Sequence, residues 1–96
     1  MIARFTTLQV QPDQIDELHA AVSRSALVPR AKQTAGLQSF LLAADRRTGK
    51  VVTVTRWESE AAAQAAEPLF QDAMRELGRF IAGAPARESY EVLLQA

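Results

Sequence analysis

Ninety-six residues carry 11 Lys plus Arg against 11 Asp plus Glu, one His, and no Cys. That length makes one domain, spanning 1–96. A balanced charge argues against a nucleic-acid partner, which requires a basic face, and the absence of Cys excludes disulfides, thiolate chemistry and cysteine-ligated metals. No apolar run approaches the ~20 residues of a membrane span. The start Met1-Ile2-Ala3-Arg4-Phe5 enters a strand pattern instead of a charged and then apolar leader, so the expectation is a soluble, cytoplasmic protein with no membrane partner.

Ile2 to Val10 reads as a first strand, broken by Gln11-Pro12-Asp13. Pro12 or Asp13 then opens a helix. Its apolar positions Ile15, Leu18, Val22 and Ala26 follow helical spacing, and Asp16 and Glu17 sit in its early turns, where the helix dipole favours acids. Pro29 is expected to end or kink it. Arg30 to Ala35 forms an irregular or short helical connection closed by Gly36. Leu37 to Ala44 reads as a second strand. Asp45 to Lys50 is a polar hairpin loop containing Gly49, so Val51 to Trp57 pairs back antiparallel as the third strand.

Ser59 is a good N-cap with Glu60 in the following turn. The alanine-rich run Ala61 to Ala66 has high helix propensity. Pro68 predicts a kink or a restart with the proline in a first turn. Leu69, Phe70, Ala73, Met74, Leu77 and Ile81 then make a continuous apolar stripe, which Gly83-Ala84-Pro85 is expected to end. Arg87 to Leu94 reads as the last strand.

The order βαββαβ predicts an α+β, ferredoxin-like domain: a four-stranded antiparallel sheet with two helices on one face. The strands are apolar on both faces. In the second, Leu37, Leu41 and Ala43 are assigned to one face and Phe40, Leu42 and Ala44 to the other. A sheet with one wet face alternates apolar and polar residues, and two helices cover only one face. The excess predicts a homodimer packed sheet to sheet, with a partly apolar monomer as the alternative.

With these residues, the layout resembles the antibiotic biosynthesis monooxygenase family of the dimeric α/β-barrel superfamily. The matching pieces are Ala35-Gly36-Leu37-Gln38, then Leu41-Leu42 with Asp45 and Thr48-Gly49-Lys50, then Val54 to Ala61 through Trp57-Glu58-Ser59, and finally Glu67-Pro68-Leu69-Phe70. The resemblance implies a small homodimer that oxygenates an aromatic, polyketide- or quinol-type molecule in a cavity between helices and sheet, without metal or flavin. The chain departs from the family pattern in two places. It has Leu69 where a helix-two histidine is common, and it contains no Asn, whereas the oxygenating and the haem-degrading members both carry one beside the cavity Trp. Haem degradation leaves the expectation, and cofactor-free oxygenation is left without part of its usual equipment.

The resemblance places Trp57 in the cavity, where an indole offers a flat wall and one N–H donor. The alternative is a core tryptophan closing the sheet. His19, at the edge of the apolar stripe of the first helix, is a candidate base or an exposed helix histidine. Tyr90 is a candidate donor to a substrate carbonyl or an interface tyrosine. These three are the catalytic candidates. Phe5, Phe40, Thr55, Phe70 and Met74 are the substrate-binding candidates, although a stripe at helical spacing also serves as core. Arg56 points to the face opposite Trp57, as an ion-pair partner. Arg46, Arg47 and Lys50 form a solvated hairpin tip. The expected cofactor is none, and the expected metal is none. Two activities are carried forward: a cofactor-independent monooxygenase, and a non-catalytic dimer that binds a small ligand on the same scaffold.

Overall fold

The computed structural model describes residues 1–96. Four antiparallel strands, β1 (Ile2–Gln9), β2 (Leu37–Ala44), β3 (Lys50–Trp57) and β4 (Ala82–Glu91), lie in the order β2-β3-β1-β4. That is the α+β, ferredoxin-like arrangement expected of the βαββαβ pattern. Each crossover carries two short helices instead of one long one. The first holds α1 (Ile15–Arg24) and α2 (Leu27–Gln33), and the second holds α3 (Glu60–Ala65) and α4 (Glu67–Leu77). Short 3-10 turns precede α1 at Pro12–Gln14 and follow α4 at Gly78–Phe80.

The break in the first crossover falls at Ser25, not at Pro29. Ser25 is extended, and its Oγ accepts the Leu27 N–H at 3.0 Å, so a new helix starts there. Pro29 then occupies the first turn of α2, where a missing N–H costs nothing. In the second crossover Ser59 Oγ accepts the Ala62 N–H at 3.1 Å, a side-chain N-cap. Pro68 lies in the first turn of α4, and the chain restarts there as its position predicts.

The last strand begins at Ala82 and takes in Gly83-Ala84-Pro85, which the sequence reading placed at a helix end. The physical reason is that β4 lies at the sheet edge. An edge proline owes no ladder hydrogen bond, and the irregular stretch is absorbed in a register shift opposite Thr7 to Gln9. The strand ends at Glu91, short of the expected Leu94. Only the Val92 N–H, donating to the Met1 carbonyl at 3.0 Å, continues the pairing.

A second shift, between Leu37 and Ser39, corrects the face assignment in β2. The extra residue of this bulge turns Leu37 to the same side as Phe40 and Leu42. Across the sheet, the helix-covered side then reads in rows: Phe40–Thr55–Arg4–Ser89, and beside it Leu42–Thr53–Thr6–Arg87. The opposite side carries Leu41–Val54–Phe5–Glu88 and Ser39–Arg56–Ala3–Tyr90. The main core lies under the helices, where Leu8 and Val51 of the sheet meet Leu18, Val22, Leu27 and Leu77. Trp57 forms a second, smaller cluster with Ala63 and Ala66. No helix is long and apolar enough to cross a membrane.

Candidate ligand cavity

The two core clusters leave a hollow between them. It holds about 150 Å³ and runs between the sheet and helices α1, α2 and α4. Of its 23 lining residues 18 are hydrophobic, so it suits an apolar body with few polar contacts. The five polar residues, Arg4, Thr6, Thr53, Thr55 and Arg87, all rise from the sheet floor. Alternation along the strands puts them there: each sits on the same side as its partner across the ladder.

Trp57 closes one end. It is buried at 5 % exposure and lines the cavity at the same time. Both readings of this residue therefore describe one position, a core tryptophan whose face is a cavity wall. Its Nε1–H donates to Thr55 Oγ1 at 2.9 Å and is already occupied within the chain. Gly36 lets this end close. With φ +85° its backbone packs against α3, where a Cβ would lie 2.5 Å from the Ala62 Cβ. The Gly36 carbonyl accepts the Glu58 N–H at 2.7 Å, which ties the start of β2 to the turn after Trp57.

Of the proposed binding residues, Phe40, Thr55, Phe70 and Met74 also line the cavity. Phe40 stands on the β2 edge and is 42 % exposed. Leu69, at the place of the expected helix-two histidine, is a further apolar lining residue. The remaining three candidates lie elsewhere. His19 is exposed and lines an adjoining depression with Ile15 and Ala44, which shares Leu18, Leu42 and Val51 with the cavity; it sits one step round α1 from the buried stripe of Leu18 and Val22. Phe5 and Tyr90 occupy odd and even positions of two paired strands that place both on the side away from the helices. Their rings meet edge to face at 5.7 Å. The Tyr90 hydroxyl donates to Glu88, whose carboxylate raises the phenol's pKa above its ordinary value. Arg56 shares that side and donates to Ser39 Oγ at 2.7 Å; no carboxylate of the chain pairs with it.

Arg4, Arg87 and Glu67 form a charged group at the cavity rim. Arg87 donates from Nη1 and Nη2 to the two oxygens of Glu67, at 2.8 and 2.9 Å. Its guanidinium lies 3.6 Å from the centre of the Phe70 ring, a cation–π contact. Arg4 Nη1 is 3.8 Å from Glu67 and donates to the Ala63 carbonyl at 3.3 Å, while its Nε donates to Ser89 Oγ at 3.1 Å. The hydrogen bonds from Arg87, then the bond from Gln71 and the charges of both arginines, hold the Glu67 carboxyl below the usual carboxylate range against the opposing effect of burial. The sequence signal for this group was an arginine inside each of two strands at a helix-facing position. It becomes informative only when the register of β1 against β4 is known.

The family model for antibiotic biosynthesis monooxygenase matches residues 1–76. The chain belongs to that family. The match runs from β1 almost to the end of α4, and leaves β4, with Arg87 and Tyr90, outside it. Among solved structures the fold recurs in Rv0793 from Mycobacterium tuberculosis, with 20 % identity over 99 % of this chain and 97 % of that one and a TM-score of 0.76. A protein of unknown function from Nitrosomonas europaea, NE2512, has 20 % identity over 99 % and 91 %, with a TM-score of 0.78. A crystal structure of an antibiotic biosynthesis monooxygenase has 16 % identity over 98 % and 100 %, with a TM-score of 0.76. At these identities the likeness concerns the fold alone. No curated protein matches the chain. In this chain the helix wall of the cavity is apolar throughout, and the only charged groups on the floor are arginines.

Proposed function

We propose that the protein is a cytoplasmic monooxygenase that oxidises a small, flat, electron-rich aromatic, a polyketide- or quinol-type molecule, without metal or flavin. The observation that carries this reading is the apolar hollow walled by Trp57 and Phe70 in a chain of this family. The indole and phenyl faces suit the rings of an aromatic ligand, and the apolar helices exclude water from it. For an anthrone-type substrate the overall change is a ring methylene plus dioxygen giving a ring ketone plus water. The two methylene hydrogens leave with one oxygen atom, and the other oxygen atom becomes the carbonyl. The reductant is the ionised substrate, which passes its electrons to dioxygen, so the protein supplies orientation and desolvation. Trp57 and the apolar helices position the rings, and Thr55 lies beside them on the floor.

The same reading includes a homodimer formed through the uncovered sheet side. Leu41 and Tyr90 there are 58 % and 52 % exposed, beside Phe5, Val52 and Val54. An apolar surface of this kind marks an interface, and a two-fold pair of sheets is the simplest way to cover it.

The test is oxygen uptake with anthrone-like and quinol substrates. Turnover well above the buffer rate that falls when Trp57 is replaced by Ala is the expected result; rates equal to buffer across a broad panel refute it. One observation favours a second reading, a ligand-binding dimer without catalysis: neither His19 nor Tyr90 reaches the cavity, and the Trp57 N–H is spent on Thr55. Calorimetric binding of the same compounds with no oxygen consumed identifies that case.

A further inference from the structure

The charges at the cavity rim do not cancel. Arg87 is neutralised, since both of its terminal nitrogens are given to Glu67 and its plane is held on Phe70. Arg4 differs. Its two hydrogen-bond acceptors, Ser89 Oγ and the Ala63 carbonyl, are neutral. Glu67 stands 3.8 Å off and is already shared with Arg87. The Arg4 Nη2 hydrogens meet no acceptor within the chain. Two guanidiniums against one carboxylate leave one positive charge, and no acidic side chain lines the cavity to balance it. A guanidinium stays charged at every working pH. With only 18 % of the Arg4 side chain exposed, that charge acts in surroundings less polar than water, where it attracts an anion more strongly.

A second donor stands beside it. Thr55 is the direct ladder partner of Arg4, which puts their Cβ atoms ~4.5–5.5 Å apart on the same side of the sheet. Thr55 Oγ1 accepts from the Trp57 indole. A hydroxyl that accepts one bond still has its own hydrogen to donate. Arg4 and Thr55 thus each bring a donor, an N–H and an O–H, to the lining of the same cavity, next to the ring-binding wall.

We propose that the cavity takes its ligand as an anion, a flat aromatic carrying one carboxylate, phenolate or enolate oxygen, and that Arg4 with Thr55 holds that oxygen. The inference deepens the reading of the hollow as an aromatic-binding site and rests on it. It also removes the need for a base in the wall. A phenol or enol whose ionised form is stabilised by Arg4 loses its proton to water, so the oxidisable anion exists at neutral pH without His19 or Tyr90.

The experiment uses the intact protein and calorimetric binding, with no oxygen chemistry in the readout. The probes are 2-naphthoate and 2-naphthamide, which share shape and rings and differ in charge. At pH 7 the acid is expected to bind about tenfold or more tightly than the amide. That ratio is expected to fall below about twofold in Arg4→Met and to persist in Arg4→Lys, which keeps the charge. Equal affinity for the two probes, an acid preference that survives Arg4→Met, or no binding of either overturns the inference. Should Arg4→Met fail to fold by circular dichroism, the wild-type ratio and the Arg4→Lys ratio decide alone. Anion preference without any oxygen uptake supports the inference while refuting the oxygenase reading. Turnover of neutral and anionic substrates with equal affinity does the reverse.

Discussion

Arg87 and Glu67 show how a pair of side chains shapes a site that neither enters as a reactant. Arg87 bridges β4 to α4 through Glu67 and packs on Phe70, so it anchors the helix wall to the edge strand and leaves Arg4 as the free charge. The pair also predicts a pH dependence. The folded-state pKa of Glu67 is lowered, so the unfolded chain binds the proton more readily. The stabilising contribution is complete above the ordinary glutamate value and is lost as pH falls through the lowered folded value. Melting temperatures from pH 7 down to about 3 are expected to fall in the wild type partly through this pair. Arg87→Met should lower the melting temperature at pH 7 and show a shallower fall with acid. Parallel curves for the two proteins would exclude the pair as a source of acid sensitivity. Neither arginine stood out among the candidate residues of the sequence, because a charged residue within a strand carries no meaning until its side of the sheet is known. The indole of Trp57 was legible as a wall but not as a donor already engaged, since its partner Thr55 is two residues away on the same strand and only the side-chain geometry joins them.

At the level of elements, the second crossover shows local chemistry and packing in agreement. Ser59 caps α3, Pro68 starts α4, and both follow from residue type. Gly36 belongs to a different kind of constraint. Its φ of +85°, and the 2.5 Å that would separate an added Cβ from the Ala62 Cβ, fix the distance between the start of β2 and α3. Gly36→Ala is expected to cost on the order of 1–3 kcal/mol in chemical denaturation, from left-handed backbone strain plus displacement of α3. A change below about 0.5 kcal/mol would show that α3 yields freely. The fold departs from the sequence pattern at its punctuation. Pro29 and Pro85 look like stops, yet each occupies a place where its missing N–H is not required, a first helical turn and an edge strand. The bulge at Leu37 to Ser39 was invisible for a related reason: an inserted residue changes the side of the sheet without changing the composition of the strand.

The whole molecule has one sheet side covered and one bare, and this asymmetry carries the dimer proposal. Phe5, Leu41, Val54 and Tyr90 face outward together. Sedimentation of the wild type is expected to give twice the 10.5 kDa chain mass, and Val54→Glu, a charge set in the middle of that side, is expected to give the single-chain mass. A wild type that sediments at the single-chain mass at micromolar concentration would refute the pairing. Taken by itself, the sequence determined the order of elements, the α+β class, the antiparallel sheet and its apolar excess, because those depend on residue type and on short-range periodicity. The tertiary structure alone decided which polar residues converge. Arg4, Thr55 and Arg87 are far apart in the chain, and they meet on one floor because the register of β1 with β3 and with β4 chooses the side to which each side chain points.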